Sequence, residues 1–97
     1  MEEKSYIISF RKPFVFEGEK YTQIDLSGLE ELTGKDIKEL QKVFFKPSPD
    51  NMLPELDLDY CTAVAGRVAG LPLEFFDQAP AYILSQIKLM VQGFFLS

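Results

Sequence analysis

Residues 14–26 read FVFEGEKYTQIDL. Two short runs of strand formers, 14–16 and 21–26, flank the stretch EGEK, in which Gly18 is free to take a positive φ. The reading is a β-hairpin. Alternation in its second strand sends Thr22, Ile24 and Leu26 inward. Upstream, SYIISF at 5–10 places Tyr6, Ile8 and Phe10 on one face. Pro13 permits a break after Phe10, so this run is either a separate strand or the start of a bent one. A lone hairpin is marginal in water, and this one needs helices over one face.

Those helices follow. GLEEL at 28–32 predicts a single helical turn. Thr33 is a good N-cap, and Asp36 three residues on supplies both a near-capping-box and favourable charge at a helix N-terminus. Ile37, Leu40 and Phe44, with Val43 beside them, share one face, Lys42 and Lys46 sit at the C-terminal end, and Pro47 stops the helix. KPSPDNMLPEL at 46–56 reads as a loop. A second helix, about 57–69, takes Asp57 or Asp59 as its cap and Cys61, Val64, Ala65 and Val68 as its apolar stripe. Its small residues Ala63, Ala65, Gly66 and Ala69 allow close approach by a neighbour, and Gly70 with Pro72 ends it. LEFFDQ at 73–78 predicts a short helical turn, and Pro80 opens a last helix running to about Leu96.

On a helical wheel this last helix carries more apolar surface than one stripe. Ile83, Leu84, Ile87, Met90, Val91, Phe94 and Phe95 fall in one broad arc, with Ser85, Lys88 and Gln92 on the other side. Tyr82, Leu89 and Leu96 form a second line at seven-residue spacing, roughly opposite the first. Gln86 and Gly93 lie close to that line, which carries no charge. Two readings compete. Either the helix is central and packed on two sides within one chain, or the Tyr82–Leu89–Leu96 line meets another polypeptide, in self-association or in capture of a client.

Composition narrows the chemistry. The chain has 97 residues, 46% hydrophobic and 26% charged, as expected of one globular domain. The net charge is −5, and residues 47–97, with six acids and two bases, carry most of it. No basic patch offers counterion release, so nucleic acid and anionic membrane surfaces are not expected partners. The single cysteine, Cys61, forms no internal disulfide, and no secretory h-region or membrane-length apolar run occurs, so a cytoplasmic protein is expected. There is no His, which removes Ser–His, Cys–His and Cys/His metal chemistry, and no phosphate-cradling glycine motif is present. The acids Asp50, Glu55, Asp57 and Asp59 lack the spacing of a calcium loop and read as a solvated loop and helix cap. Arg67 reads as a surface partner. We expect no enzyme, no cofactor and no metal.

The order of these elements resembles a family. YTQIDLSGLEELTGKDIKEL at 21–40 resembles the signature stretch of the small phage tail assembly chaperones: a strand ending in an Asp-Leu-Ser turn, then an LTG-x-D helix start. CTAVAGRVAGLPLEFFDQAPAYILSQIKLMVQGFF at 61–95 is similar to that family's second signature. There an alanine-rich helix, a Gly-Leu-Pro break and a short Leu/Phe turn precede a final helix ending Val-x-x-Phe-Phe. The likeness runs from about Lys12 through almost the whole chain. It implies a non-catalytic chaperone that binds the tape measure protein, keeps it soluble and helps tail-tube protein polymerise around it. It also implies action in the bacterial host cytoplasm and absence from the mature virion. Many such genes make a longer frameshifted product, and GFFLS at 93–97 suits a U-rich slippery codon run. The runner-up function is a small structural head–tail or tail-tube-associated virion subunit.

The expected architecture is therefore a single α+β domain. An N-terminal hairpin of two or three strands, about 5–26, packs on about three helices, 33–45, 57–69 and 80–96. The candidate protein-binding residues are Tyr82, Leu89 and Leu96, with the tape measure protein, the tail-tube protein and a second copy of the chain as candidate partners.

Overall fold

The computed structural model describes residues 6–50, 53 and 57–96. Strand β1, Ile7–Phe16, pairs antiparallel with β2, Glu19–Asp25, in a two-stranded sheet. A 3-10 turn, Ser27–Glu31, leads into α1, Gly34–Phe44, and then come α2, Leu58–Ala69, α3, Leu73–Gln78, and α4, Ala81–Leu96. The architecture is α+β, a hairpin packed against helices. Part of the 46–56 loop and Glu55 of the acid group lie outside the described residues.

The hairpin turn places both Glu17 (φ 50°) and Gly18 (φ 81°) in left-handed backbone. Positive φ at both central residues is what a two-residue turn needs to match strand twist. The run at 5–10 is the start of a bent strand. From Tyr6 onward it joins the 14–16 run, the first position of the quoted stretch lying outside the described residues. The bend is visible in the pairing: Ile8 faces Ile24 and Ser9 faces Gln23, but Phe14 already faces Tyr21. Four residues of β1, 10–13, thus stand opposite Thr22 alone. Pro13 sits in this bulge, where no ladder hydrogen bond is asked of it.

That bulge corrects one expectation. Ile24 and Leu26 are buried, but Thr22 is exposed. Ile8 with Ile24, and Phe14 with Tyr21, are cross-strand pairs on the core side, yet Ile24 and Tyr21 are an odd number of residues apart. Strict alternation cannot hold between them, and the bulge absorbs the change of face at Thr22.

One side chain closes this end of the core. Phe75 of α3 is fully buried, with ring centroids of Tyr21 at 4.9 Å, Phe14 at 5.2 Å, Phe16 at 5.3 Å and Phe10 at 6.3 Å, all edge-on, and its neighbour Phe76 at 5.2 Å. Phe10 and Phe14 stack on each other at 5.4 Å across the bulge. Edge-to-face pairs of this kind add about 0.5–1.5 kcal/mol each beyond the area they bury.

The helices are capped as their sequences dictate. Thr33 Oγ1 accepts the Asp36 N–H at 3.3 Å and Asp36 Oδ2 accepts the Thr33 N–H at 3.0 Å, a complete capping box. Asp57 Oδ1 accepts the Tyr60 N–H at 2.9 Å and caps α2. Gly70, at φ 70°, ends α2 in the left-handed conformation. At Gly66 a Cβ would lie 2.9 Å from the Leu71 carbonyl oxygen, so the α2–α3 turn folds back onto a position that only glycine vacates. On α1, Leu40 is buried and Ile37 and Phe44 are half-buried, but Val43 is 67% exposed. A wheel places Val43 only near the edge of the stripe, and α1 meets α2 along the Leu40 line alone.

Asp36 has a second role. Its Oδ1 accepts a hydrogen bond from Arg67 at 2.8 Å, joining the start of α1 to the last turn of α2. Both side chains are partly exposed, so solvent screens the pair and its contribution is small. Hydrogen bonds from the Thr33 backbone and side chain, then Arg67, hold the Asp36 carboxyl below its ordinary value of 3.8.

Two predictions follow from these contacts. Phe75→Ala should cost on the order of 3–5 kcal/mol in urea unfolding, and Phe75→Leu distinctly less. A Phe75→Ala midpoint close to wild type would show that the ring cluster does not join hairpin to helices. For Asp36, a depressed pKa contributes stability above the unfolded value that is lost as pH falls through the folded one. Wild type should therefore lose stability relative to Asp36→Asn as pH falls below about 4, and parallel acid limbs for the two proteins would contradict this.

Candidate protein-binding face

Helix α4 is the element that faces two ways. Ile83, Ile87 and Val91, spaced by four residues, are fully buried against the core. Leu84, Met90, Phe94 and Phe95 flank them half-buried. The last two rings anchor the helix end, Phe94 edge-on to Tyr6 at 6.4 Å and Phe95 against Tyr60 at 6.5 Å. Of the three residues opposite the core, Ser85 is exposed, while Lys88 and Gln92 are half-buried.

The second line divides. Leu89 is 68% exposed and Leu96 is 66% exposed, so the chain's own core covers neither. Gln86 and Gly93 on the same side are exposed too, and a Cβ on Gly93 would meet nothing within 4 Å. Tyr82 differs. It is half-buried, its hydroxyl accepts the Arg11 backbone N–H at 2.7 Å, and the Arg11 guanidinium lies 4.1 Å from its ring centroid. The structure thus keeps the three residues on one helical line but assigns Tyr82 a contact with β1 and leaves the two leucines to solvent.

No protein-family model matches the chain, and comparison with curated proteins and with solved structures finds no match.

Chemically, the face offers apolar grip. The α4 residues that form it, Gln86, Leu89, Gly93 and Leu96, are all uncharged and exposed. Among the described residues no group of three or more His, Cys, Asp or Glu side chains is gathered to hold a metal, and no helix is long and apolar enough to cross a membrane. Cys61 is buried on α2 and Asp57 is occupied as a cap. Sequence periodicity located the leucines. It could not find the Arg11–Tyr82 contact, because residues 71 apart meet only after the sheet has docked on α4.

Leu89→Asp with Leu96→Asp should leave the fold intact, with a thermal midpoint within a few degrees of wild type, since charges on exposed helix positions cost about 0.5 kcal/mol or less. Ile87→Asp, two residues from Leu89 but on the buried side, should abolish cooperative unfolding. Loss of structure in the double leucine variant would place this line in the core.

Proposed function

We propose that this chain is a non-catalytic tail assembly chaperone of a phage or prophage, which holds a helical segment of the tape measure protein soluble until the tail tube forms around it. The observation that carries the reading is the pair Leu89 and Leu96. Both stand about two-thirds exposed on a helix whose opposite side already completes the core. Large side chains left out in this way, in a line and without charges between them, suit the groove-and-ridge docking of an amphipathic helix. The likeness of residues 21–40 and 61–95 to the tail chaperone signatures supports the same reading.

The energetics suit a holder that must release. Covering what remains exposed of two leucines stabilises a complex by about 1–2 kcal/mol each. Association costs at least about 4 kcal/mol in lost translational and rotational freedom. The leucine pair is therefore a weak grip by itself, and binding needs either several copies along a long client or further contacts. A net charge of −5 keeps such complexes apart from one another in solution.

Co-expression with a tape measure protein tests the proposal. The wild-type chain should carry that protein into the soluble fraction, and the Leu89→Asp/Leu96→Asp variant should not. Recovery of the chain at fixed stoichiometry in purified particles would instead favour a structural virion subunit.

A further inference from the structure

The α4 line does not end in open solvent at its N-terminal end. Tyr82 opens onto a cavity of about 240 Å3 lined by Arg11, Lys12, Pro13, Phe14, Pro80 and Tyr82. This is below the roughly 300–1,000 Å3 of pockets that hold small molecules, and it has room for a side chain rather than a cofactor. Its walls combine two prolines and two rings with two adjacent cations. The cations come from the β1 bulge, the one place where four residues are extruded opposite a single partner. Neither Arg11 nor Lys12 forms an ion pair among the described residues. The Arg11 guanidinium lies over the Tyr82 ring, 4.1 Å from its centroid, and so stays beside the cavity. In a chain of net charge −5, this is positive charge placed next to an apolar recess, at the Tyr82 end of the helical line that carries the exposed leucines.

We propose that this recess clamps the acidic end of a helix docked along α4. The occupant is an amphipathic helix of a second protein, with large apolar residues at seven-residue spacing over Leu89 and Leu96. An acidic residue beside an apolar one enters between Arg11, Lys12 and Tyr82. Fourteen residues separate Tyr82 from Leu96, about 21 Å of helix, so the partner segment spans about four turns. Carboxylates are stabilised in a helix's first turn, which sets the partner parallel to α4 with its N-terminus at the recess. The proposal rests on the reading of α4 as a protein-binding face and adds the charge and length of what binds there.

A second copy of this chain fits less well. Helix α4 carries no Asp or Glu, so an α4–α4 pairing offers the recess no carboxylate.

Fluorescence anisotropy on the full chain tests this with two labelled, end-capped helical peptides of about four turns. Each has leucines seven apart, with either a Glu pair or a Gln pair beside the first. The Glu peptide should bind roughly five- to ten-fold more tightly at low salt, and that advantage should fade near 0.5 M salt. Lys12→Gln, an exposed position that leaves the Arg11–Tyr82 contact in place, should cut the advantage, and Arg11→Gln with Lys12→Gln should remove it. Leu89→Asp should weaken both peptides alike, with circular dichroism confirming the fold of each variant. Equal affinity for the two peptides, still lost in Leu89→Asp, would overturn the acidic clamp and leave the docking face standing. No binding of either peptide would overturn both. A dimer in sedimentation that Leu89→Asp disperses would assign the face to a second copy and overturn the proposal.

Discussion

The fold depends on the burial of the Phe75 ring among Phe10, Phe14, Phe16 and Tyr21. A two-stranded sheet has no core of its own. Here its inner face becomes stable by wrapping four aromatic side chains around a single side chain from a six-residue helix. The bulge at residues 10–13 makes the wrap possible, because it lets Tyr21 and Ile24, an odd number of residues apart on β2, both face the core. The rings of the hairpin thus share one core with the helices.

The same bulge determines what stands outside. While Phe10 turns into the core, the exposed residues 11–13 of the bulge bring Arg11 against Tyr82 and set Lys12 and Pro13 at the rim of a recess. A regular strand would have placed these residues on alternating faces. The irregularity that completes the aromatic core is therefore also what puts positive charge at the head of α4. Structure and candidate function share one cause, a mismatch of strand lengths absorbed at a proline.

Helix α4 then divides its surface. Ile83, Ile87 and Val91 saturate the space available on the core side, with Phe94 and Phe95 sealing the end against Tyr6 and Tyr60. Leu89 and Leu96 have no such space to enter, since α2, the sheet and the aromatic residues already fill the interior. For a protein proposed to hold a long helical client and then yield it to a tube, a shallow apolar line is better suited than a deep groove. Its grip is small enough to be displaced and can be repeated along the client.

Local chemistry was legible in the sequence. The EGEK turn, the Thr33–Asp36 box, the Asp57 cap, the Gly70 stop and the surplus line on the last helix all depend on residues a few positions apart, and periodicity or capping reads them directly. Tertiary packing alone decided the rest. Thr22 turned outward because strand lengths differ across the bulge, and Val43 stayed exposed because α1 offers α2 only the Leu40 line. Tyr82 left the company of Leu89 and Leu96 for Arg11, a residue 71 positions away. Such outcomes depend on which surfaces run out of partners first, a property of the assembled core that no single stretch of chain contains.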